Sequence, residues 1–368
     1  MSSTSSSKEM TYGQYCGALI STRPNQPYAF YFVVRLGNSG LKVSRLILGL
    51  GSYGEKSWQK WVAEEKEGIE HIKAAYDAGI QTFDTSNIYS HGGSERMLGK
   101  AIKQLNLPRD EIVVMTKLWG VVTREGIVPP GPAADAAGYV NQYGLSRKHI
   151  FESIKHSLER LQLDYVDVFQ CHRFDYNTPI AETMQALHDV VKAGYARYIG
   201  MASCHAYQFH AMQNYAINNN LSPFISMQCQ YNLIYREEER EMMPTLKMFG
   251  VGMMAWSPLS QGVLSRPYSQ TSLRLETSVP GSWAKQPKEE NKEIIDRLEK
   301  IAETRGISMA QVAIAWDLSK KDIVAPVIGA TTLEQLKDTI GAIHVRLTDE
   351  EIKHLEEPYV LQHIQGYN

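Results

Sequence analysis

The chain has 368 residues, of which 43% are hydrophobic, enough for one large core or two ordinary ones. Its 38 basic and 40 acidic residues give a formal net charge of -2, so charge gives no reason to expect nucleic acid or an anionic membrane as a partner. No apolar run approaches the roughly 20 residues of a membrane helix, and the Ser- and Thr-rich start lacks the features of a secretory signal.

Residues 1–30 are rich in Ser, Tyr and Pro and show neither helical nor strand periodicity. We predict that they form a flexible N-terminal extension and that residues 31–368 form one domain. At its start, residues 35–46 contain the turn sequence Gly37-Asn38-Ser39-Gly40 between two short extended runs. This segment is predicted to form a β-hairpin.

Beyond the hairpin, apolar runs with the length of a strand alternate with helical patterns. The runs cover residues 46–50, 80–84, 112–117, 165–171, 197–202, 225–229, 251–256 and 323–328. Most of them lack internal polar alternation, which indicates a parallel sheet that is buried on both faces. Eight such strands in a chain of this length predict an α/β fold closed into a (β/α)8 TIM barrel.

Two of the intervening helices have boundaries that can be read from the sequence. In residues 146–162 apolar side chains recur at the spacing of one helix face, and Ser146 is the predicted N-cap. In residues 178–193, Thr178-Pro179 is predicted to open a helix that Gly194 ends.

Three connections, residues 52–65, 119–144 and 259–287, are longer than a simple strand-to-helix turn requires. Each follows a predicted strand end, so each should overhang the barrel mouth and shape a substrate pocket. The run Pro129-Pro130-Gly131-Pro132 is predicted not to be helical. Three tryptophans of these loops are candidate walls of the pocket, although anchoring of the loops would explain them equally well: Trp58, Trp119 and Trp283.

The glycines from Gly49 to Gly54 match the Gly-x-Gly-x-x-Gly dinucleotide fingerprint and follow a predicted strand. That fingerprint requires its third glycine to open a helix and an acidic residue about 20 positions later. Here the polar run Glu55-Lys56-Ser57 follows, and Asp84 comes too late. We therefore reject a Rossmann fold.

Titratable side chains recur at the predicted carboxyl ends of three successive strands. Asp84 and Tyr89 follow the second strand, Lys117 ends the third and His172 ends the fourth. Because neighbouring strands lie about 4.8 Å apart, the four side chains can converge at one place. Each alone has a structural explanation as a cap, a packing group or a buried ion pair. Four of matching chemistry at matching positions predict an active site.

These residue types suit the reduction of a carbonyl group. The negative charge that hydride transfer leaves on the oxygen needs a proton donor, and an unperturbed tyrosine is a poor one near neutrality. A lysine ammonium stabilises the phenolate and strengthens the acid, which predicts that Lys117 activates Tyr89. Asp84 would hold the lysine charged, and His172 would orient the carbonyl oxygen.

The cysteines of the chain are Cys16, Cys171, Cys204 and Cys229. None belongs to a Cys-x-x-Cys pair, and we predict no metal site. The last three neighbour residues assigned to the barrel mouth, so strand alternation places their thiols toward the helices as small buried hydrophobes. Such thiols fit a reducing cytosol, and we predict a cytoplasmic protein.

Further motifs accompany the four candidate catalytic residues. They are Leu36–Ser44, Phe83–Tyr89 with Gly93–Glu95, Thr116-Lys117, His172-Arg173, Gly200–Ser203, Gln228–Asn232, Trp256–Leu259 and Val327–Thr331. Over roughly residues 34–355 the chain resembles the aldo-keto reductases. It is most similar to the fungal group of versiconal hemiacetal acetate reductases and aryl-alcohol dehydrogenases.

The resemblance implies an oxidoreductase in which Tyr89 is the acid and NADPH lies across the barrel mouth. Ser203 and Gln228 would then hold the nicotinamide amide, and Trp256 would stack on its ring unless it only packs the barrel. The remaining implied contacts are Ser257, Leu259 and Gln261 with the pyrophosphate, and Gly329, Thr331, Gln335 and Asp338 with the adenosine end.

The chain departs from the pattern where relatives bind the 2′-phosphate of the cofactor. Several relatives have a basic residue near Ala330 or Gln335, and neither position is basic here. Arg266 or Arg274 in the seventh loop could supply the charge instead. NADP(H) is therefore the expected cofactor, and NAD(H) is not excluded.

Two other functions remain open from the sequence. The same barrel occurs in nucleotide-sensing potassium-channel β-subunits, although no docking helix or basic run supports that role here. A barrel enzyme could also use Lys117 to form a Schiff base, which would leave Tyr89 and His172 without a role. The loop aromatics and a C-terminal tail with Tyr359 and Tyr367 favour a small apolar or aromatic carbonyl substrate. The sequence gives no oligomeric state.

Overall fold

The computed structural model describes residues 33–124, 126, 128–277 and 288–367, and all structural statements refer to these residues. The predicted extension and Trp283 lie outside them. The strands are β1 (Val33–Arg35), β2 (Lys42–Ser44), β3 (Ile47–Gly49), β4 (Thr82–Asp84), β5 (Val113–Leu118), β6 (Val166–Cys171), β7 (Ala196–Ala202), β8 (Phe224–Gln230), β9 (Gly252–Trp256) and β10 (Ile323–Ile328).

The helices alternate with these strands. They are α1 (Glu65–Asp77), α2 (Gly93–Gln104), α3 (Pro132–Ala136), α4 (Arg147–Leu161), α5 (Ile180–Lys192), α6 (Ala206–Asn218), α7 (Met242–Phe249), α8 (Leu273–Thr277), α9 (Lys292–Arg305), α10 (Met309–Ser319), α11 (Leu333–Gly341) and α12 (Asp349–Glu356). None of the described helices is long and apolar enough to cross a membrane.

Strands β3 to β10 form a closed parallel barrel in which each strand pairs with its sequence neighbours and β10 pairs with β3. This confirms the predicted (β/α)8 barrel and excludes the Rossmann fold. Every predicted strand coincides with an observed one to within two residues at either end. Of the glycines that mimic a dinucleotide fingerprint, Gly49 ends β3 and Gly51 lies in a short 3-10 turn at Leu50–Ser52, whereas Gly54 lies in the loop that follows.

The predicted hairpin is present as the antiparallel pair of β1 and β2. Its turn covers the amino-terminal end of the barrel, where the Asn38 backbone nitrogen donates a hydrogen bond to the Gly250 oxygen at 2.7 Å. Gly37 has a φ of 59°, and a Cβ there would lie 2.5 Å from that same oxygen. Only glycine permits this close approach, so the hairpin closes the end opposite the candidate site.

The helix boundaries largely follow the sequence signals. Ser146 caps α4 by accepting a hydrogen bond from the His149 nitrogen at 3.3 Å. Helix α5 follows Pro179 and ends shortly before Gly194, whose φ is 82°. The proline run was only partly interpreted correctly, because α3 begins at Pro132. Proline is tolerated at the first helical position, where its missing N–H is not needed.

Two apolar regions hold these layers together. Side chains inside the barrel, including Ile47, Val168 and Met254, pack on the hairpin. Outward-facing side chains pack against the helices, and this core includes Cys171, Cys204 and Cys229 as buried free thiols. Cys171 on β6 and Cys229 on β8 confirm the predicted strand alternation, whereas Cys204 lies beyond the end of β7. Cys16 lies outside the described residues.

A buried ion pair ties the helix layer to the barrel. The Glu95 carboxylate on α2 accepts from the Arg160 guanidinium on α4 and from the Thr116 hydroxyl on β5, both at 2.6 Å. The Glu95 side chain is fully buried and the Arg160 side chain is 14% exposed. Both carboxylate oxygens thus have donors, as burial of a charge requires.

We expect Glu95→Gln to lower the free energy of unfolding by about 3 kcal/mol, because it leaves a buried guanidinium without its counter-charge. Chemical denaturation measures this loss. Glu65→Gln is the matched control, since Glu65 pairs with Lys100 at the same 2.6 Å but in solvent. Exposed pairs contribute little, so equal losses in the two variants would contradict the proposed importance of the buried pair.

Candidate active site

The four candidate catalytic residues lie at the carboxyl-terminal end of the barrel. Asp84 is the last residue of β4 and Lys117 is the penultimate residue of β5. His172 directly follows β6, and Tyr89 opens a 3-10 turn after β4. Catalytic residues of (β/α)8 enzymes come from these strand ends, and the structure brings all four together.

An ion pair between Asp84 and Lys117 lies at the centre of the group. The lysine Nζ donates to the Asp84 Oδ2 at 2.5 Å and to the Thr85 carbonyl oxygen at 2.9 Å. Both side chains are at most 3% exposed. Burial alone lowers the pKa of Lys117, but the charge of Asp84 and the neighbouring Tyr89 outweigh it, so the pKa is raised. The ammonium therefore stays charged.

Two glutamines complete the surroundings of Asp84. Its Oδ1 accepts from the Gln170 Nε2 at 2.9 Å and from the Gln228 Nε2 at 3.1 Å. Gln170 was missed by the sequence analysis. Its position two residues before His172 on β6 was the available signal, because alternate residues of a strand share a face.

Tyr89 faces this ion pair and the histidine. The Lys117 Nζ lies 5.4 Å from the centre of the phenol ring. The centre of the His172 ring lies 5.9 Å from the centre of the Tyr89 ring, in an edge-on arrangement. Gly51, directly after β3, lies against the phenol, since a Cβ there would be 3.5 Å from the ring, an ordinary contact distance. Acid, cation and imidazole thus share one side of the mouth.

His172 is a neutral hydrogen-bonding group in this setting. Burial, followed by the positive charges of Arg173 and Lys117, lowers the pKa of His172 well below its usual value. Its Nδ1 lies 3.1 Å from the Ser86 hydroxyl. A neutral imidazole can orient a carbonyl oxygen without competing with Tyr89 as the proton donor.

The residues implied to hold a nicotinamide lie on neighbouring strands. The Ser203 backbone nitrogen donates to the backbone carbonyl oxygen of Gln228 at 3.0 Å. The Ser203 hydroxyl accepts from the Trp256 indole nitrogen at 3.0 Å. Ser203 has a φ of 40°, a strained backbone for a residue other than glycine. The structure therefore brings the Ser203 and Trp256 side chains into contact, while the Gln228 side chain contacts Asp84.

The loop after β9 carries the residues implied to bind the pyrophosphate. Ser257 and Gln261 have φ values of 54° and 59°, and Leu259 lies between them. Left-handed residues turn successive backbone N–H groups toward one side, which favours anions. Arg266 follows in the same loop, and its Nη1 is buried with no hydrogen-bond partner among the described residues.

The residues implied at the adenosine end lie around the start of α11. The Thr331 hydroxyl donates to the Gln335 side-chain oxygen at 3.0 Å. The Asp338 carboxylate accepts from the Ser308 hydroxyl at 2.6 Å, so it is engaged with α10. At Gly329 a Cβ would lie 2.9 Å from the Ser52 hydroxyl. The cofactor contacts of this group remain predictions.

Of the predicted pocket tryptophans, the structure places Trp58 near the Tyr89 phenol. The Trp58 ring lies 6.2 Å from the Tyr89 ring. Trp119 directly follows β5, and its carbonyl oxygen accepts from the Gly144 nitrogen at 2.8 Å, which closes the long second loop. Trp61 was missed by the sequence analysis, although it lies in the same loop as Trp58. The Arg274 guanidinium stacks on the Trp61 ring at 4.1 Å.

Arg274 belongs to the catalytic side of the mouth. Burial lowers the pKa of Arg274 to about 10, and Tyr89 opposes this effect. An arginine that stacks on Trp61 and interacts electrostatically with the phenol is placed to contact a substrate.

The C-terminal tail is fixed beside the site by two glutamates after β8. The Tyr359 hydroxyl donates to the Glu237 carboxylate at 2.8 Å, and the Tyr367 hydroxyl donates to Glu238. The Tyr367 ring also contacts the His205 ring at 4.8 Å. Burial raises the pKa of Glu238 to about 7.

An eight-stranded barrel with an aspartate, a tyrosine, a lysine and a histidine around one point of its mouth is the arrangement expected of an aldo-keto reductase. Sequence comparison agrees, because the model of the aldo/keto reductase family matches residues 45–359. The chain belongs to this family. It is therefore an oxidoreductase of the carbonyl-reducing type, a class that uses nicotinamide cofactors.

Three relatives match nearly the full length of the chain. The chain is 47% identical to a versiconal hemiacetal acetate reductase of Aspergillus parasiticus over 89% of this chain and 96% of that protein. It is 45% identical to a putative aryl-alcohol dehydrogenase of Schizosaccharomyces pombe over 90% and 96% of the two chains. A putative aryl-alcohol dehydrogenase of Saccharomyces cerevisiae is 42% identical over 89% and 96%.

The neutral state of His172 predicts a pH dependence of stability. As the pH falls below about 6.5 the unfolded chain protonates this residue while the folded imidazole stays neutral, so the free energy of unfolding decreases. We expect the wild type to lose more stability than His172→Gln between about pH 7 and about pH 5. Chemical denaturation at both pH values measures the difference.

The comparison isolates one residue. His71 and His149, whose pKa values burial also lowers, are present in both proteins and cancel. Parallel pH curves for the wild type and the variant would show that His172 titrates normally in the folded state.

Proposed function

We propose that the protein is an NADPH-dependent reductase that converts an apolar or aromatic aldehyde or ketone to the alcohol, with Tyr89 as the general acid. The single observation that carries this proposal is the buried Asp84–Lys117 pair, whose ammonium lies 5.4 Å from the phenol ring of Tyr89. A cytoplasmic location and a small-molecule partner belong to the same proposal.

Each residue of the site has a separate role in the proposed carbonyl reduction. When bound, the reduced nicotinamide supplies a hydride to the carbonyl carbon. Tyr89 donates its proton to the carbonyl oxygen, and the Lys117 ammonium stabilises the phenolate that remains. Asp84 keeps the ammonium charged and in place. His172 donates a hydrogen bond to the same oxygen and fixes its direction.

The amide groups of the site fit a nicotinamide carboxamide. Gln228 directs its Nε2 at Asp84, which leaves its Oε1 as an acceptor on the other side. Ser203 accepts from Trp256 through its oxygen, which leaves its hydroxyl hydrogen as a donor. A primary carboxamide offers the complementary pair of one NH2 donor and one carbonyl acceptor. The two side chains would therefore hold the amide in one orientation.

The charged groups support a dinucleotide phosphate. Arg266 lies beside the loop of left-handed residues after β9, and one of its nitrogens is buried without a partner among the described residues. A guanidinium in this state is stabilised by an anion. We assign Arg266 to the 2′-phosphate of the cofactor, which favours NADPH over NADH.

The walls of the mouth support an apolar or aromatic substrate. Trp58 and Trp61 lie on the catalytic side, with Arg274 stacked on the second of them. Flat aromatic walls favour a flat or apolar ligand. Relatives named for the reduction of versiconal hemiacetal acetate or for aryl alcohols agree with this class of substrate.

The state of Lys117 argues against a Schiff-base mechanism. A nucleophilic amine must be unprotonated, whereas the raised pKa of Lys117 keeps it an ammonium. Two oxygens, from Asp84 and Thr85, already accept its protons. The same contacts suit a group that stabilises a neighbouring phenolate.

We expect Tyr89→Phe to reduce kcat for an aromatic aldehyde by at least about 100-fold, the typical contribution of a general acid. NADPH affinity should stay unchanged, because the hydroxyl serves the substrate oxygen. Cofactor oxidation followed by absorbance and NADPH titration by fluorescence measure the two quantities. Tyr53→Phe is the control, since its buried hydroxyl contacts His71 at 3.2 Å. Full activity of Tyr89→Phe would disprove the mechanism.

Two arginines of one loop allow a test of cofactor preference. Arg266→Ala should weaken NADPH binding about tenfold, because it removes a charge-assisted hydrogen bond, and it should weaken NADH binding less. Arg274→Ala should leave both affinities unchanged and raise the KM of the carbonyl substrate. Equilibrium titration with each cofactor decides the assignment. An equal loss of NADPH affinity in both variants would contradict the division of roles.

A further inference from the structure

The Ser86 hydroxyl lies between the candidate catalytic histidine and an asparagine. It is 3.1 Å from the His172 Nδ1 and 3.3 Å from the Asn87 Oδ1. Ser86 is completely buried and Asn87 is 1% exposed. These contacts therefore form within the protein, where their direction has a large effect on the groups involved.

A serine hydroxyl has one hydrogen and can satisfy only one of these two acceptors. If it donates to Asn87, the His172 Nδ1 must carry the proton and donate to Ser86, and Nε2 is then an acceptor. If it donates to Nδ1, the proton of the neutral ring lies on Nε2. Only the second arrangement lets His172 donate to a carbonyl oxygen.

Two geometric observations favour the second arrangement. The distance to Nδ1 is the shorter of the two. Because burial and two neighbouring cations keep the ring neutral, only one ring nitrogen carries a proton in either arrangement. The Nε2 has no hydrogen-bond partner in the part of the chain that the structure describes, which leaves it for a ligand in the mouth.

We propose that Ser86 is a positioning residue that holds His172 in the tautomer with its proton on Nε2. The hydroxyl donates to Nδ1, fixes the plane of the imidazole and presents an N–H group beside the Tyr89 phenol. Backbone contacts hold Ser86 rigidly, because the flanking Thr85 and Asn87 nitrogens donate to the Met115 and Lys117 oxygens at 2.9 and 3.1 Å. This role rests on the proposed carbonyl reduction, in which Tyr89 is the first donor to the substrate oxygen and the Nε2–H group of His172 is the second.

The tautomer can be measured without turnover. Long-range proton–nitrogen correlation spectra of protein labelled with 15N-histidine show which ring nitrogen carries the proton, and the spectrum of His172→Gln assigns the signal. We expect the Nε2–H form in the wild type and a mixture of tautomers in Ser86→Ala. A wild-type ring that is protonated on Nδ1 would overturn the inference.

Kinetics test whether the tautomer matters for the reaction. Ser86→Ala should lower kcat about tenfold, the order expected for the loss of one hydrogen bond, with NADPH affinity unchanged. Ser86→Thr, which restores the hydroxyl, should recover the Nε2–H form and most of kcat. Unchanged kcat in Ser86→Ala would overturn the inference, whereas a wild type that reduces no carbonyl would overturn the proposed function itself.

Asn87→Ala is the matched control, because it removes the competing acceptor and keeps the hydroxyl. The proposal requires the same tautomer and the same kcat as in the wild type. If Ser86 instead accepts from the Nδ1–H group and donates to Asn87, this variant would free the hydroxyl and change the tautomer. Thermal unfolding of each variant confirms that the fold is retained.

Discussion

The candidate site depends on the burial of one ion pair, Asp84 with Lys117, at the mouth of the barrel. Removing two charges from water costs several kcal/mol per ion unless each is paired and hydrogen-bonded. Here the lysine has two oxygen acceptors, and the aspartate has three donors from three strands. This network makes the ammonium a fixed charge beside the phenol. It needs no rearrangement when charge develops on a substrate oxygen.

The same network connects the catalytic side of the mouth to the proposed nicotinamide side. Gln228 donates to Asp84 with one end of its amide and leaves the other end for a cofactor. The Trp256 indole donates to the Ser203 oxygen, which leaves the Ser203 hydroxyl hydrogen as a donor for the cofactor. Because an amide that is anchored at one end cannot reverse without losing that bond, its polarity is set before any ligand arrives. The strained backbone at Ser203 fits this preorganisation.

The seventh loop places Arg266 and Arg274 in different surroundings, whereas the family resemblance left open which of them supplies the positive charge for the cofactor. Arg266 lies by the left-handed turn after β9, whereas Arg274 stacks on Trp61 near the phenol. The two residues are only eight positions apart in the chain. The path of the loop separates the charge proposed to bind a phosphate from the charge proposed to face the substrate.

The sequence by itself determined the barrel, the strand ends and the four residues placed there, because buried parallel strands leave continuous apolar runs and strand ends are marked by the polar groups that follow. It also determined that Cys171 and Cys229 face the helices, since strand alternation is local. Tertiary structure alone decided that Gln170 and Gln228 donate to Asp84, because they reach it from other strands. It likewise decided the contact of Ser86 with His172, which are 86 residues apart. Local pattern carries periodicity and propensity, whereas a hydrogen bond across the mouth depends on how the closed sheet brings distant side chains together.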